Sequence, residues 1–193
     1  MLKIGIIAGT TRPNRRVGVV ANWFLELAKA RTDVAWELVD IAAYDLPNLD
    51  EPMPPSMKNY AHEHTKKWSQ KVAELDGYIF VTPEYNHSYS GSLKNAIDFV
   101  YHEWTNKAAG FVSYGTTGGV RAVEHLRGVM AELQIADVRA HVSLSLYTDF
   151  VNFSEFKPGA GHKVQIDALL DQIIAWSGAM QGLRQQLAAK AAA

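Results

Sequence analysis

The sequence predicts a three-layer α/β fold, a five-stranded parallel sheet with helices on both faces. Three observations predict it. Five short apolar runs alternate with segments whose apolar residues recur at helical spacing. Those runs are near-continuous, as strands buried on both faces are. The chain has 193 residues, 48% of them hydrophobic and 20% charged, which suits one substantial core and a single domain over 1–187.

Leu2–Ala8 (LKIGIIA) is Ile-rich and ends in the breaker cluster Gly9-Thr10-Thr11-Arg12-Pro13-Asn14. Val17, Val20, Ala21, Phe24, Leu25 and Ala28 then share a helical face, to about Ala30. Val34–Val39 reads as the second strand. Asp45–Met57 carries four of the seven prolines and reads as a surface loop. Helices are expected over Tyr60–Leu75 and Ser92–Glu103, with a third strand, Tyr78–Thr82, between them and stopped by Pro83. Ala108–Tyr114 is the fourth strand, Gly115–Gly119 a loop, Val120–Leu133 a helix, and Asp137–Val142 or slightly beyond the fifth strand. Tyr147–Gly161 looks irregular. Val164–Leu187 closes the chain as a helix, and Ala188–Ala193 is expected to fray.

With right-handed crossovers, the flavodoxin-like strand order 2-1-3-4-5 is the common arrangement at this length. Ligands in such sheets sit beyond the carboxyl ends of the strands, at the switch between strands 1 and 3. Chemistry is therefore expected in the loops after strands 1, 3 and 4.

Composition narrows the function. The 19 basic and 20 acidic side chains nearly cancel, which argues against nucleic acid or an anionic membrane as partner. There are no cysteines, so disulfides, thiolate nucleophiles and thiolate zinc sites are excluded. No apolar run approaches the roughly 18–20 residues of a membrane span. The N-terminal run Ile4–Ala8 is shorter than a signal-peptide core, and a cytoplasmic location is the expectation.

The first loop, Gly9 to Arg15, follows a buried strand and opens a helix, so its amides and the helix dipole offer an anion site. Thr10 and Thr11 add hydroxyls, while Arg12 and Arg15 add forked donors suited to phosphate. It carries neither the Walker spacing nor the GxGxxG fingerprint. The second loop, Thr82 to Gly91, packs Tyr85, Asn86, His87 and Tyr89 behind Pro83, a possible wall for a planar heterocycle. The third, Ser113-Tyr114-Gly115-Thr116-Thr117-Gly118-Gly119, lets the backbone approach a ligand closely. Each loop also admits a plain structural account: a capped helix with solvated arginines, a polar turn, a flexible connection. His87 is best read as a solvated loop histidine. His62 and His64 are set aside as a metal pair, because residues two apart on a helix do not share a face.

At these residues the sequence resembles the NADPH-dependent FMN reductase family. Gly9-Thr10-Thr11-Arg12-Pro13-Asn14-Arg15 is similar to the family's G-S-x-R-x-x-R, with Thr keeping the hydroxyl of Ser. Pro83-Glu84-Tyr85-Asn86 and Ser90-Gly91-Ser92-Leu93-Lys94-Asn95-Ala96-Ile97-Asp98 match its P-E-Y-N and S-G-x-L-K-N-A-I-D. The Gly-rich third loop also fits, and the likeness covers roughly Leu2–Leu133 well. The resemblance implies FMN, with Thr10, Arg12 and Arg15 at its phosphate, Thr11 as a further cofactor-binding residue of the same loop, and the Val17 backbone at the helix start. It implies Pro83, Glu84, Tyr85 and Asn86 beside the isoalloxazine, with Ser113, Tyr114, Gly115, Thr116, Gly118 and Gly119 closing the other edge. It implies hydride transfer from NADPH or NADH to FMN and onward reduction of a flavin, quinone or azo-type acceptor, with no catalytic side chain and no metal. It further implies a homodimer or homotetramer, for which outward members of Phe99–Trp104 could supply contacts. The rival readings are a flavodoxin-like electron carrier and a flavin-binding sensor.

Overall fold

The structure is a computed structural model and describes residues 1–192. Its main sheet contains β1 (Leu2–Ala8), β2 (Val34–Asp40), β3 (Gly77–Pro83), β4 (Ala108–Gly115) and β5 (Ala136–Ser145), all parallel, in the order β2-β1-β3-β4-β5. The helices are α1 (Val17–Ala28), α2 (Glu63–Ala73), α3 (Gly91–Asp98), α4 (Val120–Glu132) and α5 (Lys163–Ala191). The strand order is the expected one.

Near-continuous apolar strands make two cores, one on each face. Ile4, Ile6, Ile79, Val81 and Val112 meet α1 and α5 through Val20, Phe24, Leu169 and Ile173. Ile7, Tyr78, Phe80 and Phe111 point the other way, toward Trp68, Leu93 and Leu126. The period of two along a strand sorts these sets. Trp68 and Trp104 are fully buried, and their indoles donate to the carbonyls of Ala96 (2.7 Å) and Ile97 (3.1 Å). Truncating either to Ala removes about 3–5 kcal/mol.

Several features differ from expectation. α2 starts at Glu63, past Tyr60, because the distant Glu51 carboxylate accepts from the Ala61 (2.7 Å) and His62 (3.1 Å) amides and holds that stretch outside the helix. α3 ends at Asp98 and does not reach Glu103. A continuing helix would offer the Ile97 carbonyl to the Tyr101 amide, but the Trp104 indole takes it. Phe99, Val100 and Trp104 are consequently buried in the chain's own core, leaving His102 as the exposed member of that stretch and Tyr101 partly so.

Between β5 and α5, the irregular segment contains a short hairpin of β6 (Phe150–Val151) and β7 (Glu155–Phe156). Finally, α5 runs through Ala188 to Ala191, where fraying was expected, since alanine has the highest helix propensity; Ala193 lies outside the described residues. No helix among the described residues is long and apolar enough to cross a membrane.

Candidate functional site

The first loop is pinned before it turns. The Gly9 amide donates to Val81 O at 2.9 Å, and a Cβ there would stand 2.8 Å from that same oxygen, so only glycine lets β1 exit this close to β3. Ser90 Oγ donates to Gly9 O at 2.5 Å and accepts from the Leu93 amide at 3.1 Å, tying the loop to the start of α3. Thr10 is buried with its hydroxyl 3.5 Å from the Tyr85 hydroxyl, and it accepts from the Arg12 amide at 3.4 Å. The chain then turns, Arg15 N to Arg12 O at 3.2 Å, and enters α1. α1 has neither a side-chain cap nor an acidic residue in its first turn, so its positive end stays uncompensated by the protein.

The second loop is a tight turn. Tyr85 and Ser88 exchange backbone hydrogen bonds of 2.8 and 3.1 Å, with Asn86 and His87 between them at φ 48° and 74°. Glu84 does not face solvent: its side chain is 5% exposed and is clasped by Arg121, whose Nε donates at 2.6 Å and whose Nη2 is also paired with it. The Arg121 amide (3.2 Å) and the Thr117 hydroxyl (3.4 Å) complete the set. Burial alone would raise the Glu84 pKa, but the Arg121 guanidinium and these donors hold it below the ordinary carboxylate value.

In the third loop Gly118 and Gly119 adopt φ 72° and 74°. A Cβ on Gly118 would lie 1.9 Å from Ser143 Oγ. Ser113 and Ser143 both donate to Gly118 O, at 2.7 and 3.0 Å, so the Ser113 hydroxyl is spent on the loop itself. The Tyr114 hydroxyl is buried with no hydrogen-bond partner, and that burial pushes its pKa up.

The three loops enclose a cleft of about 370 Å³. Of the residues expected in the site, Arg12, Arg15, Pro83, Glu84, Tyr85, Tyr114 and Gly115 line it. Asn86 flanks its mouth, beside Arg12 and Tyr85. Thr10 lies beneath, against Tyr85, while Gly118 and Gly119 shape the loop from behind. Thr11 instead borders the neighbouring cavity, with its amide on Ser92 Oγ at 3.2 Å. The Val17 side chain is buried in the core, and Thr116 is exposed. Arg15 is already taken by Asp40 at 2.5 Å.

Sequence reasoning missed Arg16, Leu146 and Phe153, which also line the cleft. Arg16 had a signal, since it stands directly before the helix in Arg15-Arg16-Val17. Leu146 follows the carboxyl end of β5, an edge position like the other three loops. Phe153 arrives on the turn between two two-residue strands, which no local pattern announces. His62 and His64 also differ from expectation: their rings stack at 5.2 Å and both reach Asp50, because His62 stands just before α2 with extended backbone rather than inside the helix. Among the described residues no group of three or more His, Asp or Glu side chains could hold a metal.

The cleft fits a phosphate-bearing aromatic ring system. An uncapped helix start flanked by arginines suits the anion, and the buried Tyr114 hydroxyl has no partner within the protein. Residues 2–149 match the family described as NADPH-dependent FMN reductase. The chain belongs to that family. It is 37% identical to an NAD(P)H-dependent FMN reductase from a Nectria species, over 90% of this chain and 96% of that one. It is 40% identical to an NAD(P)H-dependent FMN reductase of Schizosaccharomyces pombe, over 76% of this chain and 74% of that one. Among solved structures, the flavoenzyme NAD(P)H:(acceptor) oxidoreductase FerB from Paracoccus denitrificans aligns with a TM-score of 0.71 and 20% identity, covering 93% and 99% of the two chains. That likeness concerns the fold.

Proposed function

We propose that the chain is an FMN-dependent NAD(P)H oxidoreductase. The observation that carries the reading is the meeting, in one cleft, of the uncapped α1 terminus with Arg12 and Arg16 and the Tyr114 side chain, whose hydroxyl is buried without a partner. The α1 amides, Thr10, Arg12 and Arg16 hold the phosphate. Pro83, Tyr85 and Asn86 flank the ring on one side, and the Tyr114–Gly119 backbone closes the other. Glu84 and Ser113 act through the loops they fasten. The chemistry FMN supplies when bound is hydride acceptance from NADPH or NADH, followed by reduction of a flavin, quinone or azo-type acceptor. The side chains bind and orient the participants, and none is assigned a proton.

The active form in this reading is a homodimer or homotetramer in the cytoplasm. The groove of about 800 Å³ between α3 and α4, where Tyr101 and Val129 stand beside Lys94, Asp98 and Glu132, is the surface this reading assigns to self-association. Light scattering on the eluting protein reads the mass directly.

The deciding experiment is anaerobic. The protein is reconstituted with FMN and its absorbance followed as NADPH, then NADH, is added. Bleaching of bound flavin supports the reductase. Flavin that binds yet stays oxidised points to an electron carrier or sensor, and no binding removes the reading.

A further inference from the structure

The tip of the β6–β7 hairpin holds a conformation that Phe153 disfavours. Asn152 (φ 51°) and Phe153 (φ 56°) are both left-handed, and the Ser154 amide closes the turn on Val151 O at 3.0 Å. Such turns favour Asn-Gly, and a bulky aromatic at the second position is an outlier that persists where the side chain is needed. Burial does not explain it, since Phe153 is 56% exposed. Its ring is edge-on to Tyr147, centroids 5.3 Å apart at 78°, and Tyr147 is itself 66% exposed.

The base of the hairpin is fixed. The Asp149 carboxylate accepts from the Ser145 amide (2.8 Å), the Thr148 hydroxyl (3.1 Å) and the Gly159 amide (3.4 Å), and it pairs with His162 Nε2 at 2.6 Å. Phe150 packs on Tyr114, and Phe156 packs on Trp23. Two aromatic rings are thus presented to solvent from a rigid mount at the cleft. Phe153 lines that cleft, and Tyr147 stands outside the lining set, so the pair extends outward from it.

We propose that Phe153 and Tyr147 form an aromatic wall at the outer rim of the cleft, stacking against the flat ring of the second substrate: the nicotinamide, then the acceptor. This rests on the flavin reading above, in which the inner cleft among Arg12, Tyr85 and Tyr114 belongs to FMN. A wall of this chemistry selects flat conjugated acceptors, such as quinones, over inorganic ones.

The test is equilibrium binding to the oxidised FMN holoenzyme, where oxidised ligands cannot turn over. NADP⁺ and 1,4-naphthoquinone are titrated against the flavin spectrum in wild type, Phe153→Gly and Phe153→Tyr. Phe153→Gly is expected to raise both Kd values roughly tenfold. Its Tm should be unchanged or higher, because glycine suits the positive φ. Tyr147 lies outside the cleft lining, so Tyr147→Ala is the variant that should keep wild-type FMN affinity while both Kd values rise. Phe153→Tyr should bind as wild type does. Tyr147→Ala, which removes an exposed side chain, repeats the test should Phe153→Gly fold poorly. Unchanged Kd values in Phe153→Gly overturn the wall, as does a loss confined to FMN affinity. A wild-type chain that takes up no FMN sinks the flavin reading and the wall together; an unaffected variant beside a flavin-binding wild type sinks only the wall.

Discussion

Arg15 Nη2 stands 2.5 Å from Asp40 Oδ2, while the other oxygen of that carboxylate accepts from the Ala42 amide at 3.0 Å. Asp40 therefore joins the first loop to the end of β2 and caps the 3-10 turn that follows. Among the described residues neither Arg12 nor Arg16 has a carboxylate partner, so those two are the freer anion ligands. Arg12→Ala and Arg16→Ala are each expected to weaken FMN binding about tenfold or more, in keeping with about 1.5–3 kcal/mol for a charge-assisted hydrogen bond. Arg15→Ala should lose less. Fluorescence titration of FMN ranks the three, and an Arg15→Ala protein as weak as Arg16→Ala would mean that the Asp40 pair opens to the ligand.

The Glu84–Arg121 clasp should make the site acid-sensitive. Glu84 has a lowered pKa when folded, so its contribution is complete above the ordinary value of 4.5 and fades as pH falls through the lower folded value. Glu84→Gln removes one partner of a largely buried pair. Because Arg121 is 38% exposed, the loss is nearer about 1–2 kcal/mol than the full buried-pair figure. Urea denaturation at pH 7 and at pH 4 should show a smaller gap between Glu84→Gln and wild type in acid. An equal gap at both would place the cost elsewhere.

Gly118→Ala is expected to disrupt the third loop. Its φ of 72° disfavours any Cβ, and the new atom would sit 1.9 Å from Ser143 Oγ. About 2–4 kcal/mol of stability should go, with FMN affinity falling alongside. Ser143→Ala in the same chain relieves the clash but not the φ, and should restore stability only in part. Full recovery on thermal denaturation would show that the steric contact was the whole cost.

Much of the architecture was legible because it is written locally. The Ile-rich run of β1, Pro83 at the last position of β3 and the three glycines from Gly115 to Gly119 all speak within a few residues. What escaped depends on distant partners. The α2 boundary is set by Glu51, the α3 boundary by the Trp104 indole, and the occupation of Arg15 by Asp40, 25 positions away. Glu84 sits in the right motif, yet its carboxylate faces Arg121 across 37 positions. Phe153 was illegible for another reason: strands of two residues leave no periodicity to read.

The Tyr114 hydroxyl gives the sharpest separation between folding and binding. It is buried with no hydrogen-bond partner, a state that disfavours the folded protein by about 1–3 kcal/mol. Tyr114→Phe deletes that oxygen and little else. The cofactor-free protein should therefore gain stability, by about 1 kcal/mol. If the hydroxyl is there to meet a polar atom of FMN, the same change should weaken FMN binding about five- to tenfold, and melting with and without FMN reads both effects on one sample. A variant that gains stability and keeps full FMN affinity would show that the hydroxyl faces away from the ligand, leaving the arginines and the α1 terminus to carry the site.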